Sequence, residues 1–182
     1  MELRDYQQAA VEAVYDHLRG RDDNPLVVIP TGGGKTPVIA SICRDAVALW
    51  QGRVLVLAHV KELLEQAVGR LDAMAPGLGV GVYSAGLGRR ELEHPVTVAG
   101  IQSIWQRAGE LGPVDLVIVD EAHLIPPDDG EGMYRQFLAD AKQVNPLMRV
   151  IGLTATPFRM RTGMICSDDG ILNHVCYEVS VR

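Results

Sequence analysis

Apolar positions change their period repeatedly along this chain. Between residues 5 and 19, Tyr6, Ala9, Ala10, Ala13, Val14 and Leu18 recur at helical spacing, and Gly20 supplies a stop. Leu26-Val27-Val28-Ile29 is apolar throughout, the pattern of a short strand buried on both faces. The alternation then continues. A glycine turn over 31–34 precedes a helix over 36–50 that Gly52 breaks. A buried strand at 54–57 precedes an amphipathic helix over 60–74, ended by Pro76 and Gly77. Residues 79–83 form a weaker strand candidate and 96–99 a better one, followed by a short helix near 101–108. Leu116-Val117-Ile118-Val119 is the clearest strand, residues 131–143 read as a helix, and 150–153 as the last confident strand. After Pro157 the pattern weakens. Residues 159–172 read as a loop, and 176–181 as one final strand.

Uniformly apolar strands alternating with helices imply an α/β fold in three layers, with a mostly parallel sheet and helices on both faces. Right-handed crossovers then gather the loops that follow the strands along one edge, and those loops hold the polar oddities of this sequence. No internal repeat, low-complexity tract or linker divides the chain, so residues 1–182 are expected to form one domain.

Composition narrows the class. The chain has 182 residues, 47% hydrophobic and 22% charged, which is globular and long enough to bury a core without metal or disulfide support. No apolar run approaches the length of a membrane span, and the start lacks a basic-then-apolar leader. The expectation is a cytoplasmic protein with no membrane partner. The net charge of −6 argues against a freestanding basic clamp on nucleic acid, although backbone amides and a few local cations can still hold phosphates. Three cysteines suggest no disulfide framework. Cys166, His174 and Cys176 have irregular spacing and no fourth partner, a poor zinc set, and ordinary reduced thiols fit better. Asp128-Asp129 and Asp168-Asp169 read as solvated loops.

Among only three lysines, one stands out. Pro30-Thr31-Gly32-Gly33-Gly34-Lys35-Thr36 lies between a predicted strand and a predicted helix, the context in which a glycine-rich loop binds phosphate. Thr31, Gly32, Gly33 and Gly34 can turn backbone N–H groups inward at a helix N-terminus. Lys35 would reach the β- and γ-phosphates of ATP, and the Thr36 hydroxyl would ligate Mg²⁺. Pro37 falls in the first turn, where its missing N–H costs nothing. The strict pattern has a glycine five residues before Gly34, and Ile29 stands there instead. A second feature complements the loop. The strand 116–119 runs into Asp120-Glu121, two carboxylates expected at the same sheet edge. Asp120 suits the Mg²⁺ shell, and Glu121 is placed to orient and deprotonate an attacking water.

Asp120-Glu121-Ala122-His123 after such a loop resembles the DEAH-type helicases and translocases of superfamily 2. The chain is similar to their N-terminal RecA-like motor lobe almost throughout, and that superfamily's loop often lacks the first glycine. Leu3 to Gln7 resembles an adenine-reading motif, Val54 to Gln66 motif Ia, Val98 to Ser103 motif Ib, and Gly152 to Pro157 motif III. The stretches 57–63, 100–103, 152–159 and 176–182 most resemble bacterial RadD-type DNA-repair helicases, and type III restriction translocases share much of the pattern.

The resemblance implies that Gln7 reads the adenine edge, with Arg4 helping to position the base. It further implies that Thr154 and Thr156 link the nucleotide and nucleic-acid sites and that His123 touches a partner lobe. His59, Lys61, Arg89, Gln102 and Ser103 would contact the phosphates of DNA, RNA not being excluded; each is also compatible with an ordinary surface or capping residue. In these families a second lobe supplies arginines to the γ-phosphate from a stretch resembling Gln-x-x-Gly-Arg-x-x-Arg, and no such stretch occurs here. Arg159 and Arg161 follow the Thr-Ala-Thr segment but lie on the first lobe. The resemblance thus implies the first motor lobe of a longer protein, cut near Arg182. A nucleotide-switched binding module that does not unwind is the alternative of a different class.

Overall fold

Neighbouring residues of the inner strands serve different cores, which is why those strands read as continuous apolar runs. The computed structural model describes residues 2–30, 32, 34–59, 61–126, 129–159 and 163–179. Helices α1 (Asp5–Gly20), α2 (Lys35–Leu49) and α3 (Lys61–Met74) alternate with strands β1 (Pro25–Val28), β2 (Val54–Ala58) and β3 (Val80–Ser84). Then follow β4 (Arg89–Arg90), β5 (Val96–Gly100), the short helices α4 (Ile101–Ile104) and α5 (Ala108–Leu111), and β6 (Leu116–Val119). A 3₁₀ turn (Ala122–Leu124), α6 (Asp129–Val144), β7 (Arg149–Thr154), β8 (Phe158–Arg159), β9 (Gly163–Met164) and β10 (His174–Glu178) complete the described chain.

The main sheet has the order β10-β1-β7-β6-β2-β5-β3-β4 and is parallel except between β3 and β4. Leu26, Val28, Leu55, Leu57, Val117 and Val119 pack on one face with Ile104, Tyr134 and Phe137. Val27, Ile29, Val54, Val56 and Ile118 pack on the other with Val11, Val14, Ile39 and Ile42. Each such side chain, removed wholly from water, contributes about 1.5–3 kcal/mol before entropy is counted. Ile29, in the place of the absent glycine, is fully buried, and its N–H donates to Thr154 O at 2.9 Å. The chain is therefore still in register with β7 at that point, and the loop begins only after it.

The structure departs from the sequence expectations in five places, the first being Asp129, which opens α6 instead of lying in a loop, while Asp128 falls outside the described residues. The helix expected near 101–108 is two single turns, α4 and α5. β4 is a pair of arginines that no apolar pattern announces; it forms because the turn at Ala85–Gly88 folds Arg90 back opposite Tyr83. Part of the expected loop 159–172 is strand, with Phe158–Arg159 antiparallel to Gly163–Met164. The last strand begins earlier than expected, at His174. Asn24 and Asn173 clasp across the sheet edge, with Asn24 N donating to Asn173 Oδ1 at 2.9 Å and Asn173 N donating to Asn24 O at 2.8 Å, and so set β10 beside the start of β1.

No described helix is long and apolar enough to cross a membrane. Among the described residues no group of three or more His, Cys, Asp or Glu is arranged to hold a metal, and the three thiols are free. Burial pushes Cys43 up to about 12 and Cys166 and Cys176 up to about 11. A thiol at 11 is roughly one part in a thousand thiolate at pH 8. Alkylation of the native protein followed by mass spectrometry is therefore expected to be slow at pH 8 and to accelerate toward pH 11. Rapid labelling of Cys166 or Cys176 at pH 8 would contradict that burial.

Candidate nucleotide and nucleic-acid site

Because the strands are parallel, β1 and β6 end at the same edge, separated only by β7. The glycine loop leaves β1 there, and Asp120 and Glu121 leave β6. Thr31 and Gly33 lie outside the described residues. Gly32 and Gly34 have φ of +81° and +85°, the left-handed region that glycine enters without penalty. Gly34 is also the N-cap of α2, and a β-carbon there would collide with the Gln7 amide. That close approach is a contact: Gln7 Nε2 donates to Gly34 O at 3.2 Å, while Gln7 Oε1 accepts from Arg4 N at 2.9 Å. Gln7 is buried and ties the start of α1 to the loop, whereas Arg4 is exposed. An amide retains one N–H and one lone pair after these two bonds.

Lys35 opens α2 and forms an ion pair with the Glu121 carboxylate, both side chains being largely covered. Glu121 itself has φ 50° and ψ 49°, an unusual backbone for a non-glycine residue. Asp120 Oδ1 accepts from Glu121 N at 2.9 Å. Burial raises the Asp120 carboxyl above the usual carboxylate range, with the Lys35 charge opposing and the Glu121 charge adding. Thr36, Asp120 and Glu121 line one cavity of about 40 Å³ together with Gln66 and Arg70 of α3. A hydroxyl and a carboxylate on one small cavity are hard oxygen donors of the kind Mg²⁺ accepts.

His123 and the Thr154-Ala155-Thr156 segment form a second layer. The Thr154 hydroxyl lies 2.8 Å from Thr156 O and 2.8 Å from His123 Nδ1. It has one proton and the carbonyl can only accept, so the Thr154 hydroxyl donates to Thr156 O and His123 Nδ1–H donates to Thr154. His123 Nδ1 also lies 3.5 Å from Glu121 Oε2.

The expected strand-binding residues divide. Arg89, Gln102 and Ser103 line one groove of about 340 Å³ on the same edge, beyond β2, with Arg90 and Arg107 beside them. Arg89 pairs with Glu91, and Arg90 and Arg107 pair with Glu110. These are exposed pairs of little stability value, so a phosphate can compete for the arginines. Ser103 Oγ already accepts from Ala85 N at 3.0 Å. Lys61 opens α3, its side chain outside the described positions. His59 differs from the rest. Its Nε2 donates to Asp120 O at 2.8 Å and its Nδ1 meets the Tyr134 hydroxyl at 2.5 Å, so neither ring nitrogen is left over for a phosphate. Burial holds its pKa below the usual histidine value. The His59 ring nonetheless lines a pocket of about 210 Å³ with Gln102 and Ser103, while its nitrogens are engaged inside the protein.

Sequence reading missed Arg70, Arg90, Arg107 and Tyr134. The Arg89-Arg90 doublet was a visible signal; Arg107, Arg70 and Tyr134 sit at unremarkable helical or loop positions and gave none. Arg161 lies outside the described residues, and so does the Arg159 side chain.

A glycine-rich loop at a helix N-terminus, facing an acid pair on a nearby parallel strand, is the arrangement a P-loop nucleotide site requires, and the family match with its helicase and translocase relatives makes this the N-terminal RecA-like domain of superfamily 2 helicases. The chain belongs to the family described as type III restriction enzyme, res subunit, whose profile matches residues 1–159. The DNA 3'-5' translocase XPB2 of Sulfurisphaera tokodaii is 32% identical over 185 residues, covering 100% of this chain and 34% of that protein. The Saccharomyces cerevisiae protein IRC3 is 30% identical over 162 residues, covering 85% of this chain and 23% of its own length. Among solved structures, the UvsW helicase of bacteriophage T4 superposes with a TM-score of 0.73 at 17% identity, over 97% of this chain and 60% of that one. The chain thus spans 23% and 34% of the two curated relatives' lengths.

Proposed function

We propose that this chain is the ATP-binding motor lobe of an ATP-dependent DNA helicase or translocase, of the RadD type that serves DNA repair. The observation that carries the reading is the meeting of Lys35 and Glu121 beside Thr36 and Asp120, four chemically complementary groups from two distant segments. In this reading Lys35 exchanges the Glu121 carboxylate for the β- and γ-phosphate oxygens, and the glycine-loop amides of Thr31–Gly34 hold the rest of the phosphate chain. Glu121, released, takes the proton of an attacking water. Thr36 and Asp120 would hold Mg²⁺, which neutralises charge on the phosphate oxygens. Gln7 uses its remaining amide hydrogen and lone pair on the adenine edge, with Arg4 against the base. Thr154 and Thr156 link this site to the nucleic-acid site, and His123 touches a second RecA-like lobe of the same longer protein.

DNA is favoured as the track by the relative named a DNA translocase. Its phosphates would run along the groove of Arg89, Arg90, Gln102, Ser103 and Arg107, with Lys61 nearby. The RadD-type assignment rests on the stretches 57–63, 100–103, 152–159 and 176–182. The profile match over 1–159 favours a second reading, a type III restriction-type translocase, which is separated from the first by whether the full-length protein cleaves DNA.

Nucleotide binding tests the core of the reading. Lys35→Ala removes the cation aimed at the phosphates, and titration calorimetry with MgATP and MgADP is expected to show at least about tenfold weaker binding. Unchanged affinity would overturn the P-loop assignment. Turnover measured with single-stranded DNA, duplex DNA and RNA identifies the track.

A further inference from the structure

One peptide unit, the link between Asp120 and Glu121, is gripped at both ends. Its N–H donates to the Asp120 carboxylate at 2.9 Å, and its carbonyl accepts from His59 Nε2 at 2.8 Å. A carbonyl oxygen has no proton to give, so the His59 ring must carry its hydrogen on Nε2. Nδ1 of the neutral ring is then a bare lone pair, and the Tyr134 hydroxyl donates to it at 2.5 Å. Tyr134 is 1% exposed, on α6, and its ring also lies against the imidazole at a centroid distance of 5.6 Å. A buried hydroxyl of α6 thereby fixes the tautomer of a histidine at the end of β2, and that histidine holds a backbone carbonyl at the end of β6. Fixing one imidazole nitrogen through a partner on the other is the usual way an outer residue orients an inner one.

The gripped peptide has a consequence for Glu121. It immediately precedes a residue held at φ 50°, where a side chain other than glycine does not rest without support. Rotation of that peptide would let Glu121 relax to an ordinary backbone conformation and would swing its carboxylate away from Lys35.

We propose that His59, with its tautomer set by Tyr134, is a positioning residue that locks the Asp120–Glu121 peptide and so aims the Glu121 carboxylate. The inference rests on the reading of Glu121 as the base that activates water. The His59 ring borders the cavity of Thr36, Asp120 and Glu121, but both of its nitrogens are engaged within the protein, which makes its role one of positioning.

The test uses steady-state ATPase kinetics of the full-length protein with saturating DNA. His59→Phe fills similar space and donates nothing; kcat is expected to fall about 10–100-fold. KM for ATP, half-saturating DNA and the melting temperature stay near their wild-type values. His59→Gln puts an amide N–H near the position of Nε2 and is expected to recover much of the loss, whereas His59→Asn, one carbon shorter, does not. Tyr134→Phe, which keeps the ring and removes the hydroxyl, lowers kcat about fivefold. Long-range ¹H–¹⁵N spectra of the histidine ring show the Nε2–H tautomer in the wild type and a mixture in Tyr134→Phe. Should His59→Phe fail to fold, the contrast between Gln and Asn and the ring spectra decide. Unchanged kcat in His59→Phe overturns the proposal. So does weakened DNA binding with kcat intact at saturating DNA, the signature of a strand contact. Glu121→Gln is run alongside. If its turnover survives, the reading of the base has failed; if it collapses while His59→Phe is untouched, only the positioning role has.

Discussion

Glu121→Gln in the full-length protein is expected to lower ATP turnover by about 10²–10⁴, the usual worth of a positioned general base. The substitution keeps size and hydrogen-bonding capacity and removes only the ability to take a proton. Nucleotide binding should survive and tighten slightly, because Lys35 is freed from a carboxylate that competes with phosphate for it. Asp120→Asn should behave differently. It alters an oxygen donor beside Thr36 in the same cavity, so binding and its dependence on Mg²⁺ should weaken together. Rapid-quench turnover with a parallel calorimetric titration separates the two. If both variants lose binding alike, the division of labour within the acid pair is wrong.

Residues 1–182 alone are expected to bind MgATP and yet hydrolyse it at least about 10³-fold more slowly than the full-length protein, since an arginine answering the γ-phosphate charge is worth about 10³–10⁵. Such an arginine is proposed to reside on a second lobe. DNA should stimulate the full-length enzyme strongly and the 182-residue chain hardly at all, because one lobe offers only part of the phosphate contacts and each missing contact weakens binding. The net charge of −6 adds no long-range attraction to compensate. The measurement is turnover of both proteins with and without single-stranded and duplex DNA. Brisk, DNA-stimulated hydrolysis by the short chain would overturn the two-lobe reading and turn attention to Arg70, which already borders the nucleotide cavity.

What the sequence made legible was whatever is written in consecutive residues. The strand Leu116–Val119 running into Asp120-Glu121 is local, and so is a glycine loop ahead of α2; burial on two faces makes the α/β alternation readable without coordinates. What escaped depends on pairs brought together by sheet order. Gln7 reaches Gly34 across 27 residues, and Tyr134 reaches His59 across 75. Nothing near His59 distinguishes a phosphate contact from an internal donor; its partner is an aromatic at ordinary core spacing on α6. β4 was invisible for another reason: its two arginines carry no apolar alternation, and only the turn before them sets the pairing. The early start of β10 follows from the Asn24–Asn173 clasp, which a hydropathy pattern cannot register.

The backbone at Glu121 has an evolutionary side. Two described non-glycine residues have positive φ, Glu121 and Gln51, and Gln51 is exposed in the link between α2 and β2. At Glu121 a variant library screened for thermal stability alone would drift toward glycine or asparagine, each relieving about 1 kcal/mol of strain. A library screened for turnover would hold the glutamate. The position is a point of conflict between the two selections, and stabilised versions of this domain obtained without an activity screen would tend to lose the carboxylate first.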